Sequence, residues 1–192
     1  MTTLFRRHRM AFALAAVAAV LCGLAYQWFA AQYLRPFEQR AAEFNGHLLQ
    51  LPQALAGPGP IRFVHFYDPT CPCNAINQQH VSEIIHEYAD KGVAFYAVVA
   101  PGRQATLPKA LAGMQPLSEL PGSDGIPASP AVAIWDQHGQ LAYFGPYSEG
   151  LVCNAANSFI EPILKALLDG RPVQAPSTLG YGCFCDWHAA QP

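Results

Sequence analysis

Charge is scarce in this 192-residue sequence: Asp, Glu, Lys and Arg make up 12% of it, against 52% hydrophobic residues. A chain with so little charge and so many apolar side chains is not a disordered one. Basic residues are in no excess, and the formal net charge is −2. Arg6, Arg7 and Arg9 lie ahead of a long uncharged run, so the other eight basic residues face all 13 acidic ones and the body is near −5. Such a body has no electrostatic reason to seek phosphate backbones, and no nucleic-acid partner is expected. A second long apolar run is missing too, which argues against a polytopic membrane protein. There is no phosphate-binding glycine loop, no serine-nucleophile motif and no internal repeat.

Residues 10–34 contain no charge at all. About 20 helical residues cross the hydrocarbon core of a bilayer, so this stretch is long enough to span it. A cleaved signal peptide is the competing reading, although its apolar part is usually shorter. The basic residues before the segment should stay in the cytoplasm, which sends everything after Leu34 outside. Trp28 and Tyr33 suit the outer interface. Cys22 reads as an ordinary helix residue, because Leu21 before it is too large for a lipoprotein cleavage site.

The body then holds five cysteines: Cys71, Cys73, Cys153, Cys183 and Cys185. Outside the cytoplasm these can be oxidised. The count is odd, so at least one stays unpaired, pairs with another chain or binds metal.

Hydrophobic periodicity predicts a helix from Arg35 to about Gln50, then a break at Gly57-Pro58-Gly59-Pro60. Ile61 to Tyr67 reads as a buried strand, Asn74 to Lys91 as a helix stopped by Gly92, and Val93 to Ala100 as a second buried strand. A short helical stretch falls near residues 107–114. Ala131 to Asp136 and Leu141 to Phe144 form a hairpin across Gln137–Gln140. Asn154 to Leu168 is the last helix, and the final 22 residues are irregular. One βαβ unit followed by a ββα unit gives an α/β domain with a mixed four-stranded sheet and flanking helices on both faces. The expected organisation is a cytoplasmic N-terminus (1–9), a transmembrane anchor (10–34), a helical linker (35–60), the α/β domain (61–170) and a Cys-containing tail (171–192).

Phe66-Tyr67-Asp68-Pro69-Thr70-Cys71-Pro72-Cys73 joins a buried strand to a helix, and it resembles the active-site turn of the thioredoxin superfamily. Ile126-Pro127-Ala128-Ser129-Pro130-Ala131 looks like the cis-proline loop of that superfamily, and Gly139 to Gly145 like its last turn and strand. The likeness covers roughly residues 60–168. The ending Gly182-Cys183-Phe184-Cys185-Asp186-Trp187 is foreign to ordinary thioredoxins. It is similar to that of a group of membrane-anchored thioredoxin-like proteins of Gram-negative bacteria, which implies an inner-membrane, periplasm-facing protein. The spacing departs from the superfamily: thioredoxins place two residues between their cysteines, and here only Pro72 stands there.

The chemistry of the first cysteine survives that departure. Backbone N–H groups and the helix dipole at a strand-to-helix turn favour a thiolate at Cys71 and lower its pKa, and the thiolate is the attacking species in disulfide exchange. Cys73 is the natural resolving partner, so Cys71 and Cys73 are the candidate catalytic pair of a thiol–disulfide oxidoreductase. The resemblance makes Ser129 and Pro130 the substrate-binding pair, with Pro130 cis and the backbone before it free to pair with an extended protein substrate. Pro127 competes for that position. Protein thiols or disulfides are the expected partners, with the bilayer at residues 10–34, and no cofactor is expected. Two alternatives stay open. Cys71, Cys73, Cys183 and Cys185 offer four soft ligands for Cu(I) or Zn, as in a metallochaperone or assembly factor. The same cysteines can also be non-catalytic structural bridges.

Topology places Cys153 at the start of the last helix, at the same edge as Cys71, as an accessory or disulfide candidate. From Gly170 to Cys183 the extended chain reaches up to about 43 Å, and a domain of this size has a radius of gyration near about 15 Å. Cys183 and Cys185 are therefore expected near the active edge. His65 reads as a core histidine, His80 and His86 as surface residues, and His188 as a plausible ligand. Asp68 reads as a turn residue. A peroxidase is a poor fit, because Thr70 adjoins Cys71 instead of preceding it by three positions.

Overall fold

The computed structural model describes residues 2–36, 46–148, 154–176 and 181–188. Helix α1 (Thr2–Tyr33) carries the uncharged run; it is solvent-exposed from His8 to Trp28 and partly buried at Phe29, Ala30 and Tyr33. Its stretch His8–Tyr33 is long and apolar enough to cross a membrane. Strand β1 (Leu34–Pro36) follows without a linker. Most of the helix expected from Arg35 to Gln50 lies outside the described residues. At its two ends the chain is extended (Leu34–Pro36) and makes a single 3-10 turn (Gly46–Leu48).

Strand β2 (Ile61–Tyr67) is buried at all seven positions, which is why its sequence shows no polar alternation. Helix α2 (Pro72–Tyr88) starts with Cys71 at the N-cap position and Pro72 at N1, where a missing N–H costs nothing. Gly92 takes the positive φ of 91° that ends this segment. Strand β3 (Val93–Val99) then runs parallel to β2. Strand β4 (Gln115–Leu117) pairs parallel to β3. After β5 (Ala128–Ser129) and a cis Ser129–Pro130 bond comes β6 (Ala131–Trp135), antiparallel to β2. Strand β7 (Leu141–Gly145) pairs antiparallel to β6. Helix α3 (Ile160–Leu168) follows, and β8 (Tyr181–Cys183) and β9 (Cys185–Asp186) end the described chain.

The result is a mixed α/β domain whose main sheet has the order β4-β3-β2-β6-β7. Five strands replace the four expected, because β4 is an exposed edge containing Pro116, held by β3 and not by an apolar pattern of its own. Helix α3 begins at Ile160, not Asn154. Asn154 Oδ1 accepts the Ala156 N–H and Ser158 Oγ accepts the Ile160 N–H, so these side chains hold turns ahead of the helix. Two cores flank the sheet. One joins Phe63, Phe95 and Ile134 to Val81 and Ile84 of α2 and Ile160 and Leu164 of α3. The other joins Val64, Phe66, Trp135 and Phe144 to Leu49, Leu120, Ile126 and two tail residues, Phe184 and Trp187. Among the described residues, therefore, α2 and α3 cover one face, and turns and the tail cover the other, where a helix was expected.

Candidate functional site

The site forms where β2 hands the chain to α2. Asp68 is buried at that turn, and its Oδ1 accepts the Thr70 N–H at 2.9 Å and the Thr70 hydroxyl at 2.8 Å. Its backbone carbonyl accepts the Cys71 N–H at 3.1 Å and an amide N–H of Asn74 at 3.0 Å. Arg103 Nε stands 3.7 Å from the same carboxylate. Asp68 is thus a turn-holding residue, as its neighbours in sequence suggested. The contributions of Asn74 and Arg103 were not visible in the sequence, since one lies inside a helix pattern and the other in a distant loop.

Cys71 and Cys73 are not bonded to each other. Cys71 is bonded to Cys185, with Cα atoms 5.9 Å apart, and Cys73 to Cys183, with Cα atoms 5.4 Å apart. The tail thus returns to the Cys71 turn, within the reach computed from its length. Its two cysteines meet the two of the turn in crossed order, first with last. All four are 9% exposed or less, and the Sγ atoms of Cys71, Cys73 and Cys185 lie within 4.8 Å of one another. These are the residues that could hold a soft metal ion when reduced.

Backbone pairing explains the bonding pattern. Strand β9 lies antiparallel to β5, with Cys185 opposite Ser129 and Asp186 opposite Ala128. Cys71 Sγ sits 3.8 Å from the Ser129 carbonyl, so the cis Ser129–Pro130 loop faces the Cys71–Cys185 bond. Strand β8 lies antiparallel to β1, with Cys183 opposite Leu34. The Phe184 N–H donates to the Tyr33 carbonyl at 2.7 Å. Phe29, Tyr33 and Leu34, at the end of α1, pack on the cysteine cluster. The cluster is therefore joined directly to the end of the candidate membrane span.

The remaining expectations separate clearly. Cys153 lies outside the described residues. His65 is a core residue whose Nδ1 is 2.8 Å from the Tyr147 hydroxyl. Burial lowers its pKa from 6.5 to about 4, against an opposing backbone bond at Ala131. His86 is exposed, as expected. His80 is not a surface residue: it is 2% exposed, with Nε2 3.3 Å from Glu161 of α3 and Nδ1 3.8 Å from Glu83. The buried stripe of α2 is wider than its apolar residues indicate, because α3 packs beside it. His188 is exposed, its ring contacts the Asp124 carbonyl, and it does not join the group formed by Cys71, Cys73 and Cys185. Cys22 is free and exposed on α1.

The family model described as Domain of unknown function (DUF6436) matches residues 40–187. The chain belongs to that family. Among solved structures it is similar to a hypothetical protein of Sinorhizobium meliloti 1021, at 17% identity and a TM-score of 0.53, over 70% of this chain and 82% of that one. It is also similar to an uncharacterized conserved protein of Geobacillus kaustophilus, at 18% identity and a TM-score of 0.52, over 84% of this chain and 92% of that one. These two likenesses concern the fold alone. A thioredoxin-like protein solved in its oxidised form is more distant, at 16% identity and a TM-score of 0.43, over 73% of this chain and 97% of that one. No curated protein matches the sequence.

Proposed function

We propose that this chain is a membrane-anchored thiol–disulfide oxidoreductase-like protein of thioredoxin-like fold, facing the periplasm, with Cys71 as its exchanging sulfur. One observation carries the reading. Cys185 sits on a strand paired antiparallel to Ser129 and is disulfide-bonded to Cys71. That is the arrangement in which an extended protein substrate would be held by strand addition and attacked by Cys71. The tail thus occupies the substrate position as a resident partner. The basic residues in the first turns of α1, ahead of its uncharged run, and the two disulfides both suit a domain outside the cytoplasm.

A reducing dithiol would enter as follows. Its thiolate attacks the Sγ of Cys185, the least buried of the four cysteines, and Cys71 leaves as a thiolate at the N-terminus of α2. The helix end stabilises that leaving group, which speeds exchange. The second substrate thiol then displaces Cys185, so one substrate dithiol becomes a disulfide and Cys71 and Cys185 gain its two electrons and two protons. Cys73 Sγ lies within 4.8 Å of Cys71 Sγ. The Cys71 thiolate can therefore attack Cys73 and release Cys183, giving a Cys71–Cys73 bond with no further change in oxidation state. In this way Cys73 takes over as the disulfide partner of Cys71 after the first exchange.

The test is equilibration of the full chain in detergent across a series of thiol-to-disulfide ratios, with acid quenching, alkylation and mass spectrometry. The Cys71–Cys185 bond should open and close reversibly, and Cys185→Ser should accumulate a mixed disulfide between Cys71 and an added cysteine peptide. A Cys71 that never exchanges, with Cys71→Ala lowering only stability, would show a structural bridge instead.

A further inference from the structure

We infer that the reduced chain holds one zinc ion on Cys71, Cys73, Cys183 and Cys185, and that oxidation to the two disulfides expels it. The inference goes beyond the proposed exchange activity and does not depend on it. It begins with what happens to the tail when the disulfides open. The tail does not rely on sulfur bonds alone for its position. The register of β9 on β5 and of β8 on β1, the Phe184-to-Tyr33 backbone bond and the burial of Phe184 and Trp187 are all contacts other than sulfur bonds, so reduction removes none of them directly. Trp187 stacks edge-on against Phe66, with ring centroids 5.6 Å apart. Reduction therefore leaves four thiols gathered in one buried place, and does not free the tail.

The distances suit a metal. Sulfurs around a tetrahedral zinc, each at about 2.3 Å from the ion, stand about 3.8 Å apart. Three of the sulfurs already lie within 4.8 Å of one another, and the fourth, that of Cys183, is bonded to one of the three. Opening two disulfides needs a spreading of the bonded pairs toward that spacing and a turn of the Cys183 side chain toward the other two sulfurs. The surroundings suit it as well. Phe29, Tyr33 and Leu34 pack an apolar wall against the cluster, where four unneutralised thiolates would be costly. A dication on four thiolates removes half of that charge, and the N-terminus of α2 beneath Cys71 and Cys73 favours the negative charge left over. Tetrahedral all-sulfur donor sets select zinc among the common divalent ions.

The reactions balance. Two dithiol reductants convert the two disulfides to four thiols and become two disulfides themselves. Zinc binding then releases the four thiol protons. In the other direction, two disulfide oxidants each take two electrons from a pair of zinc-bound thiolates, leaving Cys71–Cys185, Cys73–Cys183 and free Zn²⁺.

The experiment uses the full chain in detergent, reduced anaerobically with a phosphine, mixed with Zn²⁺ and separated by gel filtration for elemental analysis. A Co²⁺ sample reports thiolate ligation through its charge-transfer absorption. One zinc per reduced chain, none on the oxidised chain and zinc release on adding glutathione disulfide are expected. Cys73→Ser or Cys183→Ser removes a ligand and should weaken zinc binding by more than the about tenfold that even an outer-shell change costs. If those variants do not fold, Cys185→Ser at the least buried position supplies the same comparison. A reduced chain that retains no more zinc than the oxidised one, or serine variants that bind as well as the parent, would overturn the inference. A chain that takes zinc but never exchanges at Cys71 would sink the proposed function alone; one that exchanges but takes no zinc would sink only this inference.

Discussion

The imidazole of His65 is sealed on β2, with Nδ1 2.8 Å from the Tyr147 hydroxyl. Its pKa of about 4 in the folded chain, against 6.5 when unburied, ties stability to acidity. Above the higher value both folded and unfolded chains hold it neutral. As pH falls through the window between the two values, the unfolded chain binds a proton that the folded chain refuses, so stability drops with falling pH. The loss attributable to this residue by the lower end of the window is up to about 3 kcal/mol. Denaturant unfolding of the parent and of His65→Asn across that window measures it: the variant should show the shallower pH dependence. Equal slopes would mean that His65 is not the group responsible. A strand interior is the ordinary place for a satisfied histidine, so the role of His65 was legible in the sequence. That of His80 was not, because its burial comes from α3, which packs beside α2 only in three dimensions.

At the scale of elements, the tail is the informative segment. Phe184 is 4% exposed and Trp187 2%, both on the sheet face opposite α2 and α3. Replacing a buried tryptophan by alanine costs about 3–5 kcal/mol. Trp187→Ala should therefore loosen the tail in the reduced chain, and limited proteolysis under reducing conditions should cut it between residues 176 and 188 faster than in the parent. An unchanged cleavage rate would show that sulfur bonds alone seat the tail. The reach of this segment followed from its length, but its connectivity could not. Which cysteine meets which is fixed by the registers of β8 on β1 and β9 on β5, and strands of two or three residues leave no periodic trace. The proximity of Cys71 and Cys73 in sequence favoured a local pair, and the tail strand outcompetes it. Continuous apolar runs announced β2, β3, β6 and β7, whereas β4, short, exposed and bearing Pro116, had no such signal.

Across the whole molecule, the candidate membrane span and the site form one arrangement. Helix α1 runs directly into β1, β1 pairs with β8, and β8 carries Cys183. In the proposed orientation the sulfurs, with Phe29 and Tyr33 packed on them, lie at the periplasmic end of the span. If the tail is the resident partner of the Cys71 turn, a disulfide map of the full chain taken from native membranes after acid quenching and alkylation will show it. Cys71–Cys185 and Cys73–Cys183 are expected in the oxidised population, with Cys71–Cys73 present only where Cys183 and Cys185 are free thiols. An oxidised population paired as Cys71–Cys73 and Cys183–Cys185, or one in which Cys71 forms no disulfide, would contradict it.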